Sequence, residues 1–132
     1  MTLEASVLNE NAVRATPGGY EIDVHLPWYR SLPLSCVENI DVSIAGNRYA
    51  RDKLRVQHDG RELTVDALAS LVDEQWFVQD PLTVVVPVAS PLTAGAETDV
   101  EVALATRIPY IIIGPETALV QRARVARKVQ IS

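Results

Sequence analysis

A chain of 132 residues is long enough to bury roughly two-thirds of its unfolded surface without staples, and a composition poor in aromatics (5%) but rich in valine favours packed strands over a helical bundle. A net charge of −5 and a pI near 4.9 leave no basic surface for a phosphate backbone, and no apolar run approaches the ~20 residues of a membrane-spanning helix, which argues against nucleic acid and membranes as partners. Cys36 is the sole cysteine, and Met1-Thr2-Leu3-Glu4-Ala5 shows no basic segment followed by an apolar one, so no internal disulfide and a cytoplasmic location are expected.

In chain order, Thr16-Pro17-Gly18-Gly19 is the first turn signal. Tyr20, Ile22, Val24 and Leu26 then alternate with Glu21, Asp23 and His25, the period of a strand with one wet face. This strand runs into Leu26-Pro27-Trp28-Tyr29-Arg30-Ser31-Leu32-Pro33-Leu34-Ser35-Cys36, which holds one of two tryptophans and two of eight prolines. Proline fixes its own φ and pushes the residue before it towards extended geometry, so Trp28-Tyr29-Arg30 sits between two stiff posts. Trp, Tyr and Arg are the residues enriched at binding hot spots, and the segment reads as a projecting contact loop or, alternatively, as a plug at the end of a β-sandwich. Ile40, Val42 and Ile44 form the next alternating strand, Gly46-Asn47 a turn before Arg48-Tyr49, and His58-Asp59-Gly60-Arg61 a turn leading into Glu62-Leu63-Thr64-Val65. Asp66 is placed to cap one short helical turn through Leu71.

Trp76-Phe77-Val78-Gln79-Asp80-Pro81 follows, then a strand through Val84, Val86 and Val88 in which Pro87 marks a sheet edge or a strand end. After a loop over 91–95, Val100, Val102 and Leu104 alternate with Asp99, Glu101 and Ala103. Ile108-Pro109-Tyr110-Ile111-Ile112-Ile113 is apolar on both faces, which fits a buried strand or a surface covered by another chain. In the tail, Leu119, Ala123, Val125, Val129 and Ile131 fall on one face of a strand and Arg122, Arg124, Lys128 and Gln130 on the other. The four basic residues of 117–132 leave −9 of the total −5 on the first 116 residues, so 116–132 is expected as an extended basic strand or arm, folded back on its own domain or paired with a partner's edge. The expected architecture is all-β: a single-domain antiparallel β-sandwich over 1–132 with at most one short helix.

Chemistry is sparse. His25 and His58 belong to no paired-ligand pattern, Cys36 has no histidine nearby in sequence, and no nucleophile elbow or glycine-rich phosphate loop is present. Asp41, Glu62, Asp99 and Glu101 fall on wet strand faces. No catalytic, cofactor-binding or metal-ligating residue is expected in this chain.

The stretch Tyr20–Asn39, centred on Leu26–Cys36, together with Trp76-Phe77 and Asp80 and with Thr106-Arg107-Ile108-Pro109-Tyr110, resembles the small β subunit of bacterial C-glycoside deglycosidases. That resemblance implies a β-rich subunit associated with a larger subunit of the TIM-barrel sugar isomerase and epimerase type, in a hetero-oligomer with several copies of each. It implies that the large subunit holds the divalent metal, manganese, and the catalytic histidine. It implies C-glucosides oxidised at the sugar 3-position as substrates, with phenolic or flavonoid aglycones, cleaved at the C–C bond by elimination. No catalytic residue of that family maps onto this chain. Pro27, Trp28, Tyr29, Arg30, Ser31, Leu32 and Pro33, with Ile108, Pro109, Tyr110 and Ile111, are the expected contacts with the large subunit or the mouth of its active site. A free-standing carbohydrate-binding module, with Trp28 and Tyr29 stacking on sugars, is the alternative.

Overall fold

Apolar alternation lays down the strands, and backbone pairing sorts them into sheets. The computed structural model describes residues 8–26, 31–58, 60–77, 80–88, 93–114 and 117–131, the side chains of 9–11, 109–114 and 117–118 excepted. The strands are β1 (Leu8–Thr16), β2 (Gly19–Val24), β3 (Leu32–Pro33), β4 (Val37–Ile44), β5 (Asn47–Tyr49), β6 (Arg55–His58), β7 (Arg61–Thr64), β8 (Gln75–Trp76), β9 (Leu82–Pro87), β10 (Glu97–Gly114) and β11 (Thr117–Gln130). One sheet runs β1-β2-β9-β6-β7, the other β11-β10-β4-β5, and β3 pairs with β8 in a two-stranded ribbon. Every pairing is antiparallel.

The two large sheets share one apolar core. Ile22, Val24, Val56, Val84 and Val86 come from the first sheet and Ile40, Val42, Ile44, Val100, Val102 and Leu104 from the second, all within a single buried cluster. Their sequence neighbours are part-exposed or exposed, as the period of two requires, except Ala105, which is buried (6% exposed). Gly19, at φ 147°, is one tight point: a Cβ there would lie 2.0 Å from the Val86 carbonyl oxygen, so only glycine lets β2 and β9 register at this position.

Several sequence expectations are refined. Ala45 and Gly46, at φ 52° and 82°, make the two-residue turn between β4 and β5, so Asn47 opens β5 instead of sharing the turn. The short helical turn is a 3-10 turn over Asp66–Ser70, one of three such turns among the described residues, the others being Leu34–Cys36 and Arg51–Lys53. Its first turn is served by Thr64, whose Oγ1 accepts the Ala67 N–H (3.1 Å), while Asp66 bonds Arg51. Pro87 ends β9, a central strand, so of the two positions open to it the strand end holds. The basic tail is an intramolecular edge strand, β11, paired along β10 from Glu97–Gln130 to Gly114–Thr117. Arg127 of β11 donates to the Leu8 carbonyl (2.8 Å) and ties this edge to β1, the edge of the opposite sheet.

Candidate functional site

Three segments far apart in sequence meet at one end of the sandwich. Pro33, at φ −57° and ψ 144°, holds the chain extended just before the 3-10 turn Leu34–Cys36, whose residues are all buried. Leu32 and Pro33 pair with Trp76 and Gln75. The next two amides continue the attachment: Leu34 N–H donates to the Glu74 carbonyl (2.8 Å) and Ser35 N–H to the Leu71 carbonyl (3.3 Å). Trp76 is 2% exposed, and its Nε1–H donates to the Asp80 carbonyl (3.0 Å), so the indole has both its apolar body and its polar handle satisfied.

Arg107 supplies the third connection. Its Nη1 bonds Glu38 Oε1 at 3.0 Å while Nη2 donates to the Ser35 carbonyl at 3.3 Å and lies 3.9 Å from Cys36 Sγ. The planar guanidinium suits this forked task. It fastens β10 to the 3-10 turn that follows Pro33. Pairing of β10 with β4 ends at Thr106–Val37, and beyond it Arg107–Gly114 has β11 as its strand neighbour among the described residues. Register is irregular between Ile108 and Ile112, so the far part of this hairpin departs from a regular ladder. Thr106, 1% exposed, and Gln121, its cross-strand partner, leave Oγ1 and Oε1 buried without hydrogen bonds among the described residues.

Of the residues singled out in the sequence, Pro27, Trp28, Tyr29 and Arg30 lie outside the described residues. Ser31 and Pro33 are half-buried, Leu32 is buried against the ribbon, and Ile108 is fully buried in the chain's own core. Pro109, Tyr110 and Ile111 continue the backbone of β10, their side chains lying outside the described set. The described part of the first stretch, residues 31–36, is joined to the start of the second through Arg107 and Glu38, and to Glu74 through the Leu34 amide. The local signal for this joint is a lone arginine between a threonine and the apolar run at Thr106-Arg107-Ile108.

Elsewhere the charged groups serve the sheets. On the outer face of β1 and β2, the hydrogen bond from Arg14 (2.8 Å) holds the Asp23 carboxyl below its usual range, with Thr83 also donating to it, and Asp23 in turn raises Arg14. His58 Nε2 lies 3.3 Å from Glu74 Oε1, a carboxylate that Arg61 also binds. Asp41 pairs with Arg48, and Glu101 with Arg124. Cys36 is a buried free thiol. No cluster of three His, Cys, Asp or Glu fit to hold a metal occurs among the described residues.

Residues 2–110 match the family described as C-glycoside deglycosidase beta subunit. The chain belongs to that family. A C-glycoside deglycosidase beta subunit of Arthrobacter globiformis is 36% identical over 132 residues, the full length of both chains. One from Microbacterium trichothecenolyticum is 34% identical over 113 residues, covering 86% of this chain and 85% of its own. A Microbacterium protein named as a 3'-dehydrocarminate deglycosidase beta subunit is 33% identical over 105 residues, covering 80% and 78%. The name beta subunit implies a second kind of subunit in the complex. The matched range, 2–110, includes the segments hydrogen-bonded together around Ser35 and Arg107.

Proposed function

We propose that this chain, acting as one domain over residues 1–132, is the non-catalytic but required subunit of a complex that cleaves the C–C glycosidic bond of 3-keto C-glucosides with phenolic or flavonoid aglycones. Its partner is a TIM-barrel large subunit of the sugar isomerase and epimerase type, which carries the divalent metal, manganese, and the catalytic histidine. The reading rests above all on likeness along the whole chain to proteins named as beta subunits, one of them for a 3'-dehydro substrate.

The chemistry follows from the oxidised sugar. A 3-keto group acidifies the neighbouring C2 proton, and a base removes it. The resulting electron pair forms the C1–C2 double bond as the bond from C1 to the aglycone carbon breaks, and that carbon takes up a proton. An electron-rich phenolic ring accepts this proton readily, so the bond opens by elimination, without water as a reactant. The chain's own part is to present an end built from 31–36, 71–77 and the β10–β11 pair to the large subunit near the mouth of its site. Trp28, Tyr29 and Arg30 stand next to that end in sequence and are proposed as its contact residues, with Pro109, Tyr110 and Ile111 beside them. The alternative of a free-standing carbohydrate-binding module has no support among the relatives, each of which is named as a subunit.

The test is reconstitution. The purified chain with manganese and a 3-keto C-glucoside is expected to show no turnover, and addition of the large subunit is expected to restore it. Turnover by the chain alone, or full activity of the large subunit without it, would overturn the proposal.

A further inference from the structure

The outer face of the β11-β10-β4-β5 sheet is hollowed along β10. Val102 and Leu104 of that strand face the core, so Ala103 and Ala105 point the other way, and each lies between two longer polar side chains. Ala105 is paired with Asn39 of β4 on one side and Arg122 of β11 on the other, and Ala103 with Asp41 and Arg124. Short side chains between long ones leave a trough of 320 Å³ that all six residues line. A second hollow of 370 Å³ shares Asp41, Ala103 and Arg124 with it and reaches Arg48 and Glu101. The walls stand two strand spacings apart, about 10 Å, and the rungs about 7 Å apart along the strand, the footprint of one six-membered ring with its substituents. Part of the lining is already tied. Asn39 Nδ2 donates to Asp41 Oδ2 (3.1 Å), Arg48 pairs with Asp41 Oδ1 (3.4 Å), and Arg124 pairs with Glu101. Two groups are left over: Asn39 Oδ1, buried without a donor, and the exposed Arg122 guanidinium, which has no hydrogen bond or ion pair among the described residues.

We infer that this trough binds a polyhydroxylated monocarboxylate of the size of a sugar acid, its carboxylate on Arg122 and its hydroxyls on Asn39 and Asp41. The charge pattern selects the class. Arg48 and Arg124 are each matched by a carboxylate, so Arg122 alone is unmatched and calls for a single negative charge. The carboxylates of Asp41 and Glu101 in the same hollow repel a dianion such as a phosphate monoester. A bare monoanion would serve Arg122 and leave Asn39 Oδ1 without a donor, whereas a hydroxyl donates to that oxygen and to the Asp41 carboxylate alike. The inference goes beyond the subunit reading and does not rest on it, since every group it uses belongs to this chain.

The experiment titrates the full chain with D-glucuronate, D-glucose and acetate, following amide shifts by NMR and heat by calorimetry, and repeats the calorimetry on the chain in complex with its large subunit. Glucuronate is expected to shift the amides of 39–43, 101–105 and 122–124 and to bind about tenfold more tightly than glucose or acetate, each of which offers half of the contacts. Arg122→Gln is expected to bind glucuronate about tenfold more weakly, and Arg122→Lys to recover part of that loss by keeping the charge. Ala103→Leu fills the hollow and is expected to abolish binding, with melting of all three variants like that of the parent because both positions lie on the outer face. Acetate binding as tightly as glucuronate would reduce the site to an anion on Arg122 and overturn the inference, and glucose binding as tightly would remove Arg122 from it and do the same. Parent-like binding by Arg122→Gln or Ala103→Leu, or no shift in those three segments, would overturn it outright. Binding by the free chain that disappears in the complex would assign this face to the subunit contact, and would equally overturn it while leaving the subunit reading intact.

Discussion

Replacing Arg107 by alanine removes the joint between β10 and the turn at Leu34–Cys36, and its cost can be worked from the contacts. The Arg107–Glu38 pair is about 40% exposed on each side, so solvent screening limits it to about 0.5 kcal/mol. The hydrogen bond to the Ser35 carbonyl adds about 1 kcal/mol. The sum, about 1.5 kcal/mol, corresponds to a fall of roughly 5 °C in melting temperature for a chain of this size. Arg107→Lys keeps the charge, but a single ammonium does not reproduce the fork to both oxygens, so about half of the loss should remain. Urea unfolding followed by tryptophan fluorescence would read both values, and binding to the large subunit should weaken several-fold as the 31–36 segment loosens. Unchanged melting and binding in Arg107→Ala would refute the joint. A loss above about 4 kcal/mol would refute it from the other side, because that magnitude belongs to a core truncation.

Trp76→Ala should cost about 4 kcal/mol of stability, since it empties a buried indole site and leaves the Asp80 carbonyl without its donor; chemical denaturation measures this. Gly19→Ala should destabilise by about 3 kcal/mol or more, because the new Cβ would collide with the backbone of Val86 and Val88, and the loss should show as a lower urea midpoint with retained strand signal in circular dichroism. Asp23 has its folded pKa lowered by the Arg14 hydrogen bond, so the stability it contributes is present above its ordinary value of 3.8 and is lost as pH falls through the lower folded value. Asp23→Asn should therefore be less stable than the parent at pH 7, with the gap closing below about pH 3.8 in urea titrations. Trp28→Ala should leave melting unchanged and weaken binding to the large subunit about 30-fold; a steep loss of stability would show instead that the ring is a core plug.

The strands that could be read in the sequence are those whose alternation is unbroken. Tyr20 to Val24, Ile40 to Ile44 and Val100 to Leu104 each bury every second residue, while the tail buries Ala123, Val129 and Ile131 and leaves Val125 half-buried on the same face. β1 escaped because Leu8, Ala12 and Val13 are buried out of period, across a register shift that destroys the two-residue repeat. The ribbon of β3 and β8 is two residues per strand, too short to carry a pattern. The sequence points to a turn at Gly46-Asn47, because Asn favours the left-handed region, but it is Ala45 that occupies it. At the candidate site the sequence indicated the stretches but not their meeting, because Arg107 lies 72 residues from Ser35 and 69 from Glu38 and nothing local marks such a contact.

Hydrogen exchange of the chain free and in complex tests most directly whether the end built from 31–36, 71–77 and 106–114 faces the large subunit. Binding is predicted to slow exchange of amides in those three segments together, while the outer face of β1 and β2, around Arg14, Glu21 and Asp23, exchanges as in the free chain. Protection confined to β1 and β2, with those three segments unchanged, would contradict the account.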